Sequence, residues 1–205
     1  MATDIRGATA LLAVLFLIPI AGAAQPGRET ARPEMWKSRP GDDPSWASPG
    51  FDDSSWRAVP LPATWRQQGY TGTGGEIWFR RAEPLDTAAQ LAAGRGQLGI
   101  LLGRSTPFGA YQVYAAGRLA GSSGGWRLKL PFSRTEVFPI PRQAVGRDGR
   151  LALALRVRRV AWAADGQPLA APVGRTLTLG DYQALKDRAE LAWDRTLKFL
   201  KAALG

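Results

Sequence analysis

The sequence predicts an all-β sandwich of about eight to nine short strands, and three observations support this prediction. Apolar residues alternate with polar or small ones over much of the chain, which is the period of a strand with one buried face. The 205 residues include 24 Gly and 15 Pro, so many turns are expected. A long helical period appears only near the C-terminal end, after residue 180.

The clearest strand runs through residues 151–157, where Leu, Leu, Leu and Val alternate with Ala, Ala and Arg. Similar alternation and turn signals predict strands at 34–38, 57–61, 76–85, 97–103, 110–115, 118–121, 132–140, 150–158 and 173–179. Ala116-Gly117 predicts a two-residue hairpin turn. Two sheets of such strands, packed face to face, form a sandwich.

A C-terminal helix is predicted over residues 180–205. Asp181 is a suitable N-cap residue. Apolar residues then recur at helical spacing, namely Tyr182, Leu185, Ala189, Trp193, Leu197 and Leu200. Two interpretations stay open: a terminal helix packed across the edge of the sandwich, or a connector toward a following membrane segment.

The N-terminus has the pattern of an export signal. Arg6 precedes an uncharged apolar run that ends in small residues, with cleavage expected after Ala23 or Ala24. An uncleaved anchor is the less favoured alternative, because the apolar run is shorter than the ~20 residues of a membrane span and contains Pro19. The predicted organisation is a signal peptide at 1–24, a polar tether at 25–33, the sandwich at 34–179 and the helix at 180–205. The predicted location is periplasmic or extracellular, with a membrane tether as an alternative.

Composition excludes several kinds of chemistry. The chain contains neither cysteine nor histidine, which excludes disulfides, thiol catalysis, Cys/His zinc sites and imidazole bases. The 27 Lys and Arg against 17 Asp and Glu give a net charge of +10. Because the arginines are scattered and an export signal is present, we expect a basic surface rather than a nucleic-acid site. No cofactor is expected.

An internal repeat stands near the start of the predicted sandwich, with DDPSW at 42–46 and DDSSW at 52–56. We call residues 41–56 the echo loop. Aspartates before such turns accept backbone N–H groups, and the tryptophans are expected to pack, with Trp56 closing the edge of the sandwich. Two alternatives are weaker: glycosidase acid/base chemistry, and a calcium site, for which EF-hand spacing is absent. The calcium site would use Asp42, Asp43, Asp52 and Asp53.

A ligand surface is predicted from the loops. If each strand runs antiparallel to the previous one, loops 62–75, 104–109, 122–131 and 159–172 meet at one end. They carry the candidate ligand-binding residues Trp65, Tyr70, Arg104, Phe108, Trp126 and Trp162, with Arg66 and Arg127 among them. Flat rings and forked donors suit a sugar. Tyr70 and Trp126 are the first candidates, and the alternative is that these rings shield the core from water.

Residues 51–65 (FDDSSWRAVPLPATW) and 75–81 (GEIWFRR) resemble the sugar-binding jelly-roll domain at the front of family 2 glycoside hydrolases. They also resemble the extracytoplasmic sensor region of bacterial membrane proteins that carry a SpoIIE-type phosphatase or a histidine kinase. Residues 111–121, where the family usually has an Asn-Gly hairpin, and 151–157 fit the same pattern. The resemblance covers about residues 34–179 and implies a galactose-binding-like jelly roll.

Together these observations favour an exported, non-catalytic module that binds a carbohydrate or another small polar ligand. It would be the sensory part of a signalling protein or a stand-alone relative, and its helix would face a membrane-embedded partner. The alternatives are an accessory sugar-binding domain of a glycoside hydrolase fragment and a structural interaction domain with no small ligand. No enzyme activity is expected, because the catalytic carboxylates of the family lie in a barrel domain.

Overall fold

Two antiparallel sheets form the body of the computed structural model, which describes residues 34–61, 68–70, 75–102, 109–122, 135–159 and 177–204. Within these residues the strands are β1 (Glu34–Pro40), β2 (Arg57–Leu61), β3 (Gly75–Pro84), β4 (Leu98–Leu102), β5 (Gly109–Ala115), β6 (Arg118–Ser122), β7 (Val137–Pro139), β8 (Arg150–Arg159) and β9 (Leu177–Asp181). The helices are α1 (Thr87–Gly94) and α2 (Tyr182–Leu204). The predicted signal peptide and tether lie outside the described residues.

The larger sheet has six strands in the order β2-β1-β3-β8-β5-β6, and the smaller has three in the order β7-β4-β9. Every neighbouring pair is antiparallel. In the large sheet Phe79 lies opposite Leu155, which also lies opposite Val113. Ile100 of the small sheet packs in the same core as these three side chains. The predicted all-β sandwich is therefore confirmed.

Strand β8 shows why the alternating pattern identified the core. Its residues Leu151, Leu153, Leu155 and Val157 all belong to the main core and are almost fully buried. Burying side chains of this size stabilises the fold by about 1.5–3 kcal/mol each. The strand is central in the large sheet, paired with β3 on one side and β5 on the other.

Helix α1 lies between the predicted strands 76–85 and 97–103, where the sequence pattern indicated only a connecting loop at residues 86–96. The Asp86 carboxylate accepts a hydrogen bond from the backbone N–H of Ala89 at 2.8 Å and caps the helix. Ala89, Ala92 and Ala93 are buried, and the helix contacts β4 and β9. Eight residues with alanine as the main buried type give too weak a periodic signal to distinguish from a loop.

The N-cap of α2 is confirmed, because the Asp181 carboxylate accepts a hydrogen bond from the N–H of Ala184 at 3.0 Å. Leu185 and Ala189 pack with Leu101 of β4, on the side of the small sheet away from the main core. The later residues Leu191 and Phe199 are exposed. Across the described ranges, neither helix combines the length and the apolar character needed to cross a membrane.

Candidate ligand-binding surfaces

The echo loop covers part of the outer face of the large sheet and forms a second apolar cluster there. Trp46 and Trp56 pack edge to face with ring centroids 5.0 Å apart. Both rings pack with Trp78 of β3 and Ala154 of β8, and Phe51 and Tyr114 adjoin them. The expectation that Trp56 packs is confirmed, but it covers the sheet face rather than the sandwich edge. Each face of the large sheet therefore has its own apolar cluster, and its central strands β3 and β8 are buried on both sides.

Arg80 fixes the echo loop to the sheet. This β3 residue is only 6% exposed, and its Nε donates to Oδ2 of Asp53 at 2.9 Å. Its Nη1 and Nη2 donate to the carbonyl oxygens of Trp46 and Phe51, the second at 3.5 Å. A buried guanidinium requires such partners, because an unpaired buried charge is strongly destabilising. The sequence did not single out Arg80, because nothing in the run Phe79-Arg80-Arg81 distinguishes a buried arginine from an exposed one.

The four aspartates of the repeat have structural roles in the part of the chain that the structure describes. Asp43 accepts a hydrogen bond from Ser45 N–H at 2.8 Å, and Asp52 accepts one from Ser54 N–H at 2.9 Å. These two hydrogen bonds confirm the capping interpretation for Asp43 and Asp52. The other aspartate of each copy forms an ion pair instead: Asp53 with Arg80, and Asp42 with Arg156.

The hydrogen bonds at the two turns also lower the pKa values of the aspartates that accept them. The side chain and backbone of Ser45 lower the pKa of Asp43, and the backbone and side chain of Ser54 lower the pKa of Asp52. No group of three or more acidic side chains placed to hold a metal ion occurs among the described residues. For the alternative of a calcium site at the repeat, two of the four carboxylates are already paired with arginines: Asp53 with Arg80, and Asp42 with Arg156.

Tyr70 is the one candidate ligand-binding residue that the structure describes. Its hydroxyl forms a hydrogen bond of 2.6 Å with the Ser38 side chain, and its ring is partly buried against the main core. This placement agrees with the alternative in which the ring shields the core. The other candidates lie outside the described residues, namely Trp65, Arg104, Phe108, Trp126 and Trp162, together with Arg66 and Arg127.

The strand ends next to the predicted ligand loops gather at one end of the large sheet. Gly75, where β3 begins, lies opposite Arg159, where β8 ends. Gly109, where β5 begins, also lies opposite Arg159. Strand β6 runs toward the same end and finishes at Ser122, opposite Gln112 in the middle of β5. For each of the four predicted loops, one of the two flanking strand ends therefore lies toward this end of the large sheet.

The assumption behind that prediction was wrong at one connection. Strands β2 and β3 both pair antiparallel with β1, so they run in the same direction rather than in opposite ones. Strand β2 ends opposite Glu34, whereas β3 begins near the other end of β1, where Ile77 lies opposite Pro40. The physical reason is that β1 lies between β2 and β3 in the sheet and pairs antiparallel with both.

Several solved structures share this fold. A calcium-binding mutant of Bacteroides uniformis beta-glucuronidase 2 matches with a TM-score of 0.50 and 22% identity, covering 71% of this chain and 17% of that one. The Bacteroides uniformis beta-glucuronidase matches with a TM-score of 0.50 and 23% identity, covering 70% and 16%. A glycosyl hydrolase family 2 member from Bacteroides cellulosilyticus has a TM-score of 0.48 and 18% identity, covering 72% and 20%.

The two beta-glucuronidase matches show the fold: a β-sandwich that is similar to one part of those proteins. The chain spans about a sixth of the length of the two beta-glucuronidases. No protein-family model matches the sequence, and no curated protein matches it. At this level of identity the likeness concerns the fold alone, so function must be argued from the surfaces.

Proposed function

We propose that this chain is an exported, non-catalytic module that binds a carbohydrate or another small polar ligand at the end of the sandwich where β3, β5 and β8 meet. The observation that supports it is the shared register of Gly75, Gly109 and Arg159. The neighbouring loop sequences carry Trp126 and Trp162, among other aromatic residues and arginines. Ring faces bind the apolar side of a sugar, and arginine donates to its hydroxyl groups.

The wider role that we propose is sensory or accessory. As the extracytoplasmic part of a signalling protein, the module would pass ligand occupancy to a membrane-embedded partner through α2. As an accessory domain of a glycoside hydrolase, it would hold substrate for a catalytic domain elsewhere. The similarity to one part of a beta-glucuronidase supports the second role at the level of fold. In both roles the module itself carries out no reaction.

A second candidate function is a structural interaction domain with no small ligand. The hydrogen bond between Tyr70 and Ser38 favours it, because a ring that is fixed to β1 and packed on the core is less available to a ligand. Under this interpretation the aromatic loops shield the core. The two functions differ in whether the loops bind a small ligand, which a binding assay measures directly.

The test is a glycan screen with the mature chain, followed by calorimetry on any ligand that is found. Trp126→Ala is expected to weaken binding by about tenfold or more, as removal of an aromatic contact residue commonly does. Phe199→Ala is the matched control, since this aromatic residue of α2 is 70% exposed and remote from the loop sequences in the chain. If no glycan binds, the carbohydrate function fails in favour of the structural domain. If a glycan binds but Trp126→Ala and Tyr70→Ala both retain full affinity, the proposed site at these loops is wrong.

Export is tested separately. N-terminal sequencing of material secreted by a bacterial host is expected to begin at Ala24 or Gln25, because the small-residue cleavage pattern ends there. A secreted protein that begins at Met1 would contradict the predicted cleavage and favour the uncleaved anchor.

A further inference from the structure

We propose that the outer face of the large sheet carries a binding site for a small organic anion, in a cleft of about 500 Å³ beside the echo loop. All the residues that line the cleft belong to the described part of the chain. The site lies on a strand face and not at the loop end discussed above. It does not depend on the proposed carbohydrate function, and either can fail alone.

The cleft exists because the echo loop covers only part of the outer face. One row of that face crosses three strands, with Ala58 opposite Lys37 and Lys37 opposite Arg80. Arg80 and Asp53 mark the edge of the covered part, and both line the cleft. Beyond that edge Ala58 and Ala82 are exposed. Their short side chains leave a shallow floor.

The floor has apolar character. Met35 of β1 is 56% exposed and lines the cleft together with Pro84 at the end of β3. Ala58 and Ala82 add methyl groups between them. An exposed apolar floor within a sheet gains from contact with a flat apolar body, because burial removes that surface from water. A ligand with a ring or short hydrocarbon body fits this surface.

The charges around the floor are predominantly positive. Four cationic residues line the cleft, against one acidic residue, Asp53: Lys37, Arg80, Arg81 and Arg150. Two of the cations are balanced by carboxylates of the protein. Arg80 pairs with Asp53, and Arg81 pairs with Glu34 and Glu83.

The other two cations are Lys37 and Arg150. Neither lies within ion-pair distance of a carboxylate among the described residues, although Arg150 is close enough to Glu83 to attract its carboxylate. Arg150 Nη2 donates to the carbonyl oxygen of Ala82 at 2.7 Å, which holds its guanidinium against β3. A guanidinium has five N–H donors, so further donors remain for an oxyanion. An ammonium and a guanidinium at the rim of an apolar floor together define the ligand class: an apolar body with a carboxylate or a phosphate group.

The experiment is a titration of the ¹⁵N-labelled protein followed by NMR. The probes are benzoate, phenyl phosphate, inorganic phosphate and benzamide, which is neutral. Benzoate, phenyl phosphate or both are expected to shift the amide signals of Lys37, Ala58, Ala82 and Arg150. Inorganic phosphate lacks the apolar body and benzamide lacks the charge. Each is therefore expected to bind at least about tenfold more weakly than the aryl anions. The two anionic aryl probes distinguish a carboxylate from a phosphate as the preferred group.

The double variant Lys37→Gln/Arg150→Gln is expected to weaken aryl anion binding by about tenfold or more. Its matched control is Arg118→Gln/Arg142→Gln, which removes the same charge at exposed positions outside the cleft. The proposal is overturned if neither aryl anion binds, if benzamide or inorganic phosphate binds as tightly, or if the control variant weakens binding equally. Folding of each variant is checked by the dispersion of the same NMR spectra.

Discussion

Arg80 and Asp53 form an ion pair of 2.9 Å that joins the middle of the large sheet to the second half of the echo loop. The two side chains are far apart in sequence, and the arginine is the more buried partner. Because the same guanidinium also contacts the carbonyl oxygens of Trp46 and Phe51, a single strand residue holds both copies of the repeat. The outer cluster and the edge of the anion cleft both depend on this contact.

Asp53→Ala is expected to lower the free energy of unfolding by about 2–4 kcal/mol, because it leaves a buried guanidinium without its carboxylate. Asp42→Ala is the matched control, since Asp42 also joins the echo loop to the sheet, through Arg156, but is more exposed. It is expected to cost less than about 1 kcal/mol. Chemical denaturation measures both values, and equal losses would contradict the role assigned to Arg80.

Trp56→Ala is expected to cost about 3–5 kcal/mol, because it removes a ring that is 4% exposed from the outer cluster. Leu119→Ala, at a residue of β6 that is 53% exposed, is expected to change stability by less than about 0.5 kcal/mol. Thermal or denaturant unfolding compares them. A Trp56→Ala protein with an unchanged melting temperature would show that the ring does not pack as described.

The turn between β5 and β6 holds Ala116 in a strained backbone conformation, and a substitution can relieve the strain. Ala116 has a φ of 47° and Gly117 a φ of 82°, both in the left-handed region that L-residues other than Asn and Asp avoid. Ala116→Asn is expected to stabilise the protein by about 0.5–1 kcal/mol.

Gly117→Ala is the matched opposite change at the same turn. It adds a Cβ at positive φ, 3.3 Å from Cδ of Pro49, and is expected to destabilise the protein by about 1–2 kcal/mol. Denaturant midpoints of the two variants should therefore move in opposite directions. A shift of both in one direction would contradict the described turn.

The predictable part of the fold was the part set by local pattern. The strands β5 and β8 and the N-cap Asp181 follow from alternation and capping chemistry within a few residues. The burial of the outer face of β3 at Trp78 and Arg80 did not, because the echo loop that covers this face comes from more than twenty residues earlier. Strand order likewise depends on which strand lies between two others, and β1 separates β2 from β3.

The site was predictable to a smaller extent. The assumption that successive strands run in opposite directions placed the ends of β3, β5 and β8 correctly at one end of the sheet. The same assumption was wrong for β2 and β3, which run in the same direction. The anion cleft was not foreseen, since Lys37, Ala82 and Arg150 come from three separate strands and share no motif. Only the register of the sheet brings such residues together.

Acid sensitivity follows from the two turns of the repeat. The folded-state pKa of Asp43 and of Asp52 lies below the ordinary value of 3.8, so their contribution to stability is present above that value. It is lost as the pH falls through the lowered folded-state pKa. Asp43→Asn/Asp52→Asn retains side-chain oxygens as hydrogen-bond acceptors but removes the charge.

Between about pH 5 and pH 2 this double variant is expected to lose less stability than the unmodified protein. Glu83 acts in the opposite direction, because burial raises the pKa of its carboxyl. Its contribution is greatest below its unfolded-state pKa and is lost as the pH rises through the raised value. Denaturation curves over this pH range measure the difference, and parallel curves for the two proteins would contradict the assignment.

The central claim is that a ligand binds at the end of the sandwich where β3, β5 and β8 meet. The most direct test is to map, by ¹⁵N NMR, the amide signals that respond to a glycan identified in the screen. The amide signals of Gly75, Gly109 and Arg159 are expected to respond. Responses confined to the opposite end of the same strands, at Ala115 of β5 and Arg150 of β8, would contradict the proposed site.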